Sequence, residues 1–243
     1  MSDATQPEYQ YSELPALQLL ERMGYVSGKA TQLDTRKDIA EVIFKEQLLA
    51  AIKRLNPWIN ENNLQKAYHS ITSITGTSLI EINQEIWEYL RGAKLSVKQK
   101  INGAEDYHPV HFIDYECIAN NEFQAISQMK FKGKSWNSEP DIMVYINGLP
   151  IALIECKSPT AQNAWETAYS DLKHYQENSE KLFHFNQLMI GIWQVGGKYG
   201  AINAPKQFYS VYKPHQEEDL SFIGENPSRQ DILLYSIFNK KRL

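Results

Sequence analysis

The chain has 243 residues, enough for one large domain or two small ones, and 42% of them are hydrophobic, so a substantial core can be buried. A formal net charge of -4 excludes a generally basic, nucleic-acid-coating protein, so any contact with nucleic acid must come from a local basic patch. Cys117 and Cys156 are too few for a disulfide framework, the polar N-terminus has no secretory pattern, and no apolar run approaches the ~20 residues that cross a bilayer. A soluble, cytoplasmic protein is expected.

The first hundred residues read as helical. Leu14, Leu17, Leu20 and Met23 recur at helical spacing, with Gly24 as the stop. Ile39, Val42, Ile43, Leu48, Leu49 and Ile52 predict one helix from Asp38 to Leu55, ended by Asn56-Pro57. A third helix is expected from Asn60 or Glu61 to Ile74, and a fourth from Leu79 to Arg91 behind a Ser78/Glu81 capping box. The pattern then shortens. His111–Glu116 and Phe123–Phe131 read as strands, and residues 141–157 as an apolar hairpin. Ala161, Ala164, Trp165, Ala168, Tyr169, Leu172 and Tyr175 predict a helix from Thr160 to Glu177. Leu188–Trp193 then reads as a buried strand, parallel to the one before the helix. Residues 203–229 are polar and proline-bearing, and an apolar helical stripe begins at Asp231 and stops uncapped at Leu243, as at a cut end. The expected division is a helical part (1–100), a core (101–202), and a wrap leading into a helix (203–243).

The chemistry is concentrated in Pro140-Asp141 and Glu155-Cys156-Lys157, at the two ends of the apolar hairpin. Two acids beside a buried strand are costly unless a cation lies between them, and a divalent metal is the natural one. Glu155 and Lys157, two apart on a strand, leave the same face. The register of Asp141 depends on the turn. A two-residue turn at Asn147-Gly148 pairs Ile146 with Leu149 and sets Asp141 against Ile154, on the wrong face. A three-residue loop, Asn147-Gly148-Leu149, pairs Ile146 with Pro150 and Asp141 with Glu155, and this register is expected. The pair would then grip one Mg²⁺, which suits one or two carboxylates plus a phosphate oxygen, while Lys157 would hold water and stabilise charge on the phosphorane.

The stretch Pro140-Asp141 … Glu155-Cys156-Lys157 resembles the PD-(D/E)XK nuclease motif. Together with Asn121-Glu-Phe-Gln, the Asn-Gly-Leu-Pro turn and Leu182-Phe-His-Phe-Asn-Gln-Leu-Met-Ile, it is similar to the N-terminal nuclease domain of the restriction (R) subunit of type I restriction enzymes. The resemblance runs from about residue 80 to 243. It implies an α/β (α+β) fold in which a mixed sheet is flanked by helices, with the helical N-terminal part beside it. It implies Mg²⁺-dependent cleavage of double-stranded DNA, with ATP used by translocase domains later in a longer chain. Methyltransferase and specificity subunits are the implied partners. The family's Gln-X-X-X-Tyr element falls on Asp171 and Tyr175, an acid standing where the glutamine is usual. Its additional early-helix acid would fall on Glu13, although a solvated helix-start glutamate is the preferred reading of that residue.

For DNA contact the sequence offers Arg91, Lys94, Lys98 and Lys100, and Lys130, Lys132 and Lys134 on one side of a strand, with Gln128 beside them. Gly191–Tyr199 is not a P-loop, because Lys198 comes one residue late and Tyr199 replaces the Ser/Thr. His108 and His111 lack zinc partners at the right spacing. A nuclease of the same fold in DNA repair, and a non-catalytic docking module, stay open as alternatives.

Overall fold

Residues 6–92, 94–215 and 218–242 are described by the computed structural model; Met1–Thr5 and Leu243, on which the readings of the two chain ends partly rest, lie outside them. The most apolar part of the chain forms the centre of the sheet. Strands β5 (Ile142–Ile146) and β6 (Leu149–Cys156) are buried along their whole length, as expected of strands covered on both faces. They lie in a six-stranded mixed sheet of order β1-β4-β5-β6-β7-β8, with β1 (Val26–Lys29), β4 (Phe123–Ser127), β7 (Leu188–Ile192) and β8 (Gly197–Gly200). The β1–β4 and β6–β7 pairs are parallel and the others antiparallel. Helices flank the sheet, a mixed α/β arrangement consistent with an α+β nuclease-like fold.

The connection from β6 through α6 (Ala164–Asn178) to the parallel β7 is the crossover the sequence predicts. Its helix sits close to the sheet because position 191 is glycine: a β-carbon there would lie 3.0 Å from the Ala168 methyl and 3.1 Å from the Trp165 ring. Helices α1 (Leu14–Arg22), α3 (Lys45–Leu55), α4 (Glu61–Thr72) and α5 (Leu79–Leu90) cover the expected regions. A one-turn helix, α2 (Ala30–Leu33), follows β1. Asn60 caps α4 and Ser78 caps α5, but the Glu81 carboxylate turns to the Thr77 amide and hydroxyl instead of closing a capping box. The apolar core runs continuously from Ala16 to Phe238.

Several expectations are corrected. The predicted Asp38–Leu55 helix begins only at Lys45; the residues before it are held in an irregular turn by the Arg36–Asp34 ion pair and by Arg36 donating to the Glu41 and Lys130 carbonyls. The stripe at Ile39, Val42 and Ile43 reflects a packed loop. The strand β1 lies inside the supposedly helical region; it is short, half-exposed and contains Gly28, so no alternation betrays it. A hairpin of β2 (Ser96–Ile101) and β3 (Ala104–Pro109) was likewise not anticipated, although it turns on Asn102-Gly103. His111–Glu116 is not a strand: Asn147 takes the Phe112 carbonyl and Asp114 accepts from the Glu116 and Cys117 amides. β4 ends at Ser127 because Gln128 adopts φ +57°, and Phe131 meets only an isolated bridge with Ser138. The last helix, α7 (Arg229–Phe238), starts earlier than predicted, on a full Ser228/Asp231 capping box, and ends at Asn239. It packs against α1 and β8.

Candidate active site

The register that brings the acids together has a different origin from the one expected. Asn147 (φ +52°) and Gly148 (φ +80°) make a two-residue turn, and Ile146 pairs with Leu149. Only glycine suits the second position, since an added methyl would also lie 2.7 Å from the Phe44 carbonyl oxygen. The extra residue sits further along: Tyr145 pairs with Pro150 but Val144 with Ala152, so Ile151 is a bulge. Beyond it Met143 faces Leu153 and Ile142 faces Ile154, and one step further Asp141 stands opposite Glu155. The expected juxtaposition is present, with the insertion inside β6 instead of in the turn. Pro150 accordingly lies second in β6 and does not open it.

Glu155 is 2% exposed, while Asp141, just ahead of β5 and behind the buried Pro140, keeps a partly exposed edge. One Asp141 oxygen accepts the Cys156 amide at 2.6 Å, taking the ladder's place at the strand end. The Lys157 ammonium donates to Glu155 Oε1 at 2.6 Å and lies 2.9 Å from Asp171 Oδ2 on α6. The second Glu155 oxygen, Oε2, is buried with no hydrogen-bond partner. Tyr175 lies one turn beyond Asp171 on α6, and its hydroxyl donates to the Glu139 carbonyl at 3.5 Å.

The electrostatics follow from burial. Desolvation raises the Asp141 carboxyl to about 7, against hydrogen bonding from Cys156 and attraction from Lys157, while Glu8 and Asp171 raise it further. Glu155 is held well above the usual carboxylate range by burial and then by the Asp141 charge. For Lys157 burial works toward a lower value, but the Glu155 charge, with hydrogen bonds to Glu155 and Asp171, outweighs it and keeps the ammonium protonated. Burial, followed by the Glu155, Asp141 and Asp171 charges, pushes the Tyr175 phenol up, so it stays a neutral donor. The buried Cys156 thiol, raised first by burial, is raised further by Asp141, Glu13, Glu155 and Glu8, so the fields of all four acids reach this point.

Asp141, Glu155, Lys157, Asp171 and Tyr175 are thus brought together. Glu13 is not a solvated helix start: it is 4% exposed and closes a π-helical turn, Tyr9–Glu13, that leads into α1. That turn is fastened to the site by Ser12, whose hydroxyl donates to the Lys157 carbonyl at 2.7 Å and whose own carbonyl accepts from Gln230 of α7 at 2.9 Å. Sequence reasoning missed Glu8. It stands just before the π-turn that Glu13 closes, its charge reaches Asp141 and Cys156, and no composition signal announces a π-turn. Lys130, Lys132 and Lys134 do not project from a strand; they lie on the loop after Gln128, because β4 has ended. Lys130 approaches Glu139 at 3.9 Å and Lys134 pairs with Glu180 at 2.6 Å. In the second basic stretch Lys98 pairs with Glu105 and Arg91 stacks on Trp87.

The donor set fits a hard divalent cation. Among the described residues no three His, Cys, Asp or Glu side chains are grouped so that they could hold a metal ion; what the site presents is the facing Asp141 and Glu155 pair, hard oxygen donors of the kind a cation that keeps several waters uses. Lys157 answers one Glu155 oxygen, and burial still raises both carboxyls, so the fold only partly compensates this acid pair.

A mixed sheet flanked by helices, with two facing carboxylates and a lysine at the ends of its two central strands, is consistent with an α+β nuclease-like fold. The chain belongs to the type I restriction enzyme R protein N terminus family, whose model matches residues 5–208. It is 28% identical to a protein named as the endonuclease subunit of a type I restriction enzyme, MjaIXP, of Methanocaldococcus jannaschii, across 95% of this chain and 24% of that protein. It is 29% identical to the type I restriction enzyme HindI endonuclease subunit of Haemophilus influenzae, across 76% of this chain and 18% of that one. The chain therefore spans about a quarter or less of the curated relatives it matches.

Proposed function

We propose that this chain is the Mg²⁺-dependent endonuclease domain of a type I restriction enzyme R subunit, cutting double-stranded DNA. Family membership and the relatives' names support a restriction nuclease; the observation that carries the chemistry is the bulge-set register opposing Asp141 and Glu155 beside Lys157. Asp141 and Glu155 would hold Mg²⁺, which when bound supplies a Lewis acid for the phosphate and a more acidic water. Glu155 and Asp171 hold the Lys157 ammonium between them, aimed where charge grows on the scissile phosphate. The neutral Tyr175 phenol offers a further donor on the same face of α6. Glu13 and Glu8 add negative field from the π-helical turn, which favours retention of the cation.

In this reading the full subunit also uses ATP for translocation and assembles with methyltransferase and specificity subunits in the cytoplasm. Among the described residues no helix is long and apolar enough to cross a membrane. The test is cleavage of a circular duplex in the assembled complex with Mg²⁺. Asp141→Asn, Glu155→Gln and Lys157→Ala are each expected to abolish cutting while assembly and ATP use persist. Cutting that survives all three changes refutes the assignment.

A further inference from the structure

The loop between Gln128 and Asp141 is built with more care than a connector requires. Asn178, at the end of α6 and 4% exposed, holds its tip: its side-chain oxygen accepts the Ser135 and Trp136 amides at 3.0 and 3.4 Å. Its side-chain nitrogen donates to the Trp136 carbonyl at 2.6 Å and to Ser138 Oγ at 3.1 Å, and its backbone carbonyl takes the Lys134 amide at 2.8 Å. At Gly133 any β-carbon would collide with the Asn178 side-chain amide and the Trp136 carbonyl, so the loop closes directly onto the asparagine. The base is pinned by the Phe131–Ser138 bridge, with the Arg36 guanidinium 4.4 Å above the buried Phe131 ring. On this rigid frame Trp136 is 56% exposed. Exposed Lys132 and Lys134 lie on the same loop, two and four residues before it, and with Lys181 they line a cavity of about 400 Å³.

The position is adjacent to the chemistry. Asn178 follows Tyr175 by three residues on α6, about one turn, and the loop ends at Glu139, the acceptor of the Tyr175 hydroxyl. In a chain of net charge -4, a cavity lined by Lys132, Lys134 and Lys181 against the single acid Glu180, on a loop that also carries an outward aromatic, complements a polyanion with flat faces, which is what a nucleic-acid strand presents. The Lys134–Glu180 pair is exposed on both sides, and such pairs are weak enough to be exchanged for a phosphate.

We propose that this Asn178-locked loop is a DNA-contact platform in which Trp136 packs on a sugar or base while Lys132, Lys134 and Lys181 hold the flanking phosphates. It rests on the nuclease reading for the identity of the polymer. The test is binding of a fluorescein-labelled duplex, followed by anisotropy in chelator across a salt series, where no cutting occurs. With an unpaired strand carrying the same label, whose base faces are open to the indole, Trp136→Ala is expected to weaken binding about tenfold and Trp136→Phe to retain most of it. Lys132→Ala with Lys134→Ala is expected to reduce the slope of log affinity against log salt by nearly 2, at about 0.9 per phosphate contact. Thermal unfolding of each variant at the wild-type midpoint shows that the fold is kept. An unchanged affinity for Trp136→Ala with an unchanged salt slope, or no duplex binding by the wild type, overturns the platform. Because cutting is assayed separately with Mg²⁺, a cutting enzyme with an indifferent Trp136 removes this proposal and leaves the nuclease reading standing.

Discussion

Replacing Asp141 by asparagine tests the electrostatics without disturbing the packing. The Asp141 carboxyl is raised from 3.8 to about 7, chiefly by burial. An acid whose folded value is raised binds its proton more tightly in the folded state, so metal-free stability falls as pH rises from about 4 to about 7 and is level above that. At about 1.4 kcal/mol per pH unit, the full difference corresponds to roughly 4 kcal/mol, and relaxation of the site with its partly exposed edge reduces the observable effect to about 1–3 kcal/mol. Asparagine keeps an oxygen for the Cys156 amide and removes the charge that raises Glu155. Urea unfolding in chelator should therefore show Asp141→Asn more stable than wild type at pH 8, with the difference vanishing near pH 4. Adding Mg²⁺ at pH 8 should stabilise the wild type and leave the variant unchanged. A variant less stable than wild type at pH 8, or a difference independent of pH, refutes the reasoning.

Asp171→Ala removes one of two carboxylates on Lys157, and cleavage is expected to fall about tenfold while Mg²⁺ still raises the unfolding midpoint; equal loss of both contradicts the assigned role. Gly148→Ala meets both a positive φ and the Phe44 carbonyl, and chemical denaturation should register a loss of at least about 2 kcal/mol. Gln230→Ala releases the Ser12 carbonyl and the Gln194 amide, and hydrogen exchange should quicken at the Tyr9–Glu13 turn more than in β5. Mg²⁺ affinity measured by calorimetry should fall as pH drops through about 7, because the ion then competes with the Asp141 proton.

What could be read from the sequence follows from where the physics is local. The β6–α6–β7 unit was legible because continuous apolar strands and a helical stripe are strong periodic signals. The facing of Asp141 and Glu155 beside Lys157 was legible because their positions on the apolar hairpin fix a face and the stretch resembles a known motif. The turn was misplaced because a two-residue turn with a bulge at Ile151 and a three-residue loop give the same pairing at Asp141, and only the intervening residues differ. β1 was missed because its pairing partner, β4, lies about a hundred residues away and nothing in Val26–Lys29 itself demands a strand. Glu8 and the Asn178 clamp were hidden for a related reason: a π-turn and a side chain serving a distant loop are tertiary facts, and helical periodicity treats Asn178 as an ordinary last-turn residue.

Anomalous diffraction from a crystal soaked with Mn²⁺, standing in for Mg²⁺, measures the central point most directly. One peak is expected within about 2.0–2.3 Å of an oxygen from each of Asp141 and Glu155, displacing neither from its face of the sheet. A peak bound to only one of them, or ions held elsewhere with this pair bare, contradicts the shared-cation account.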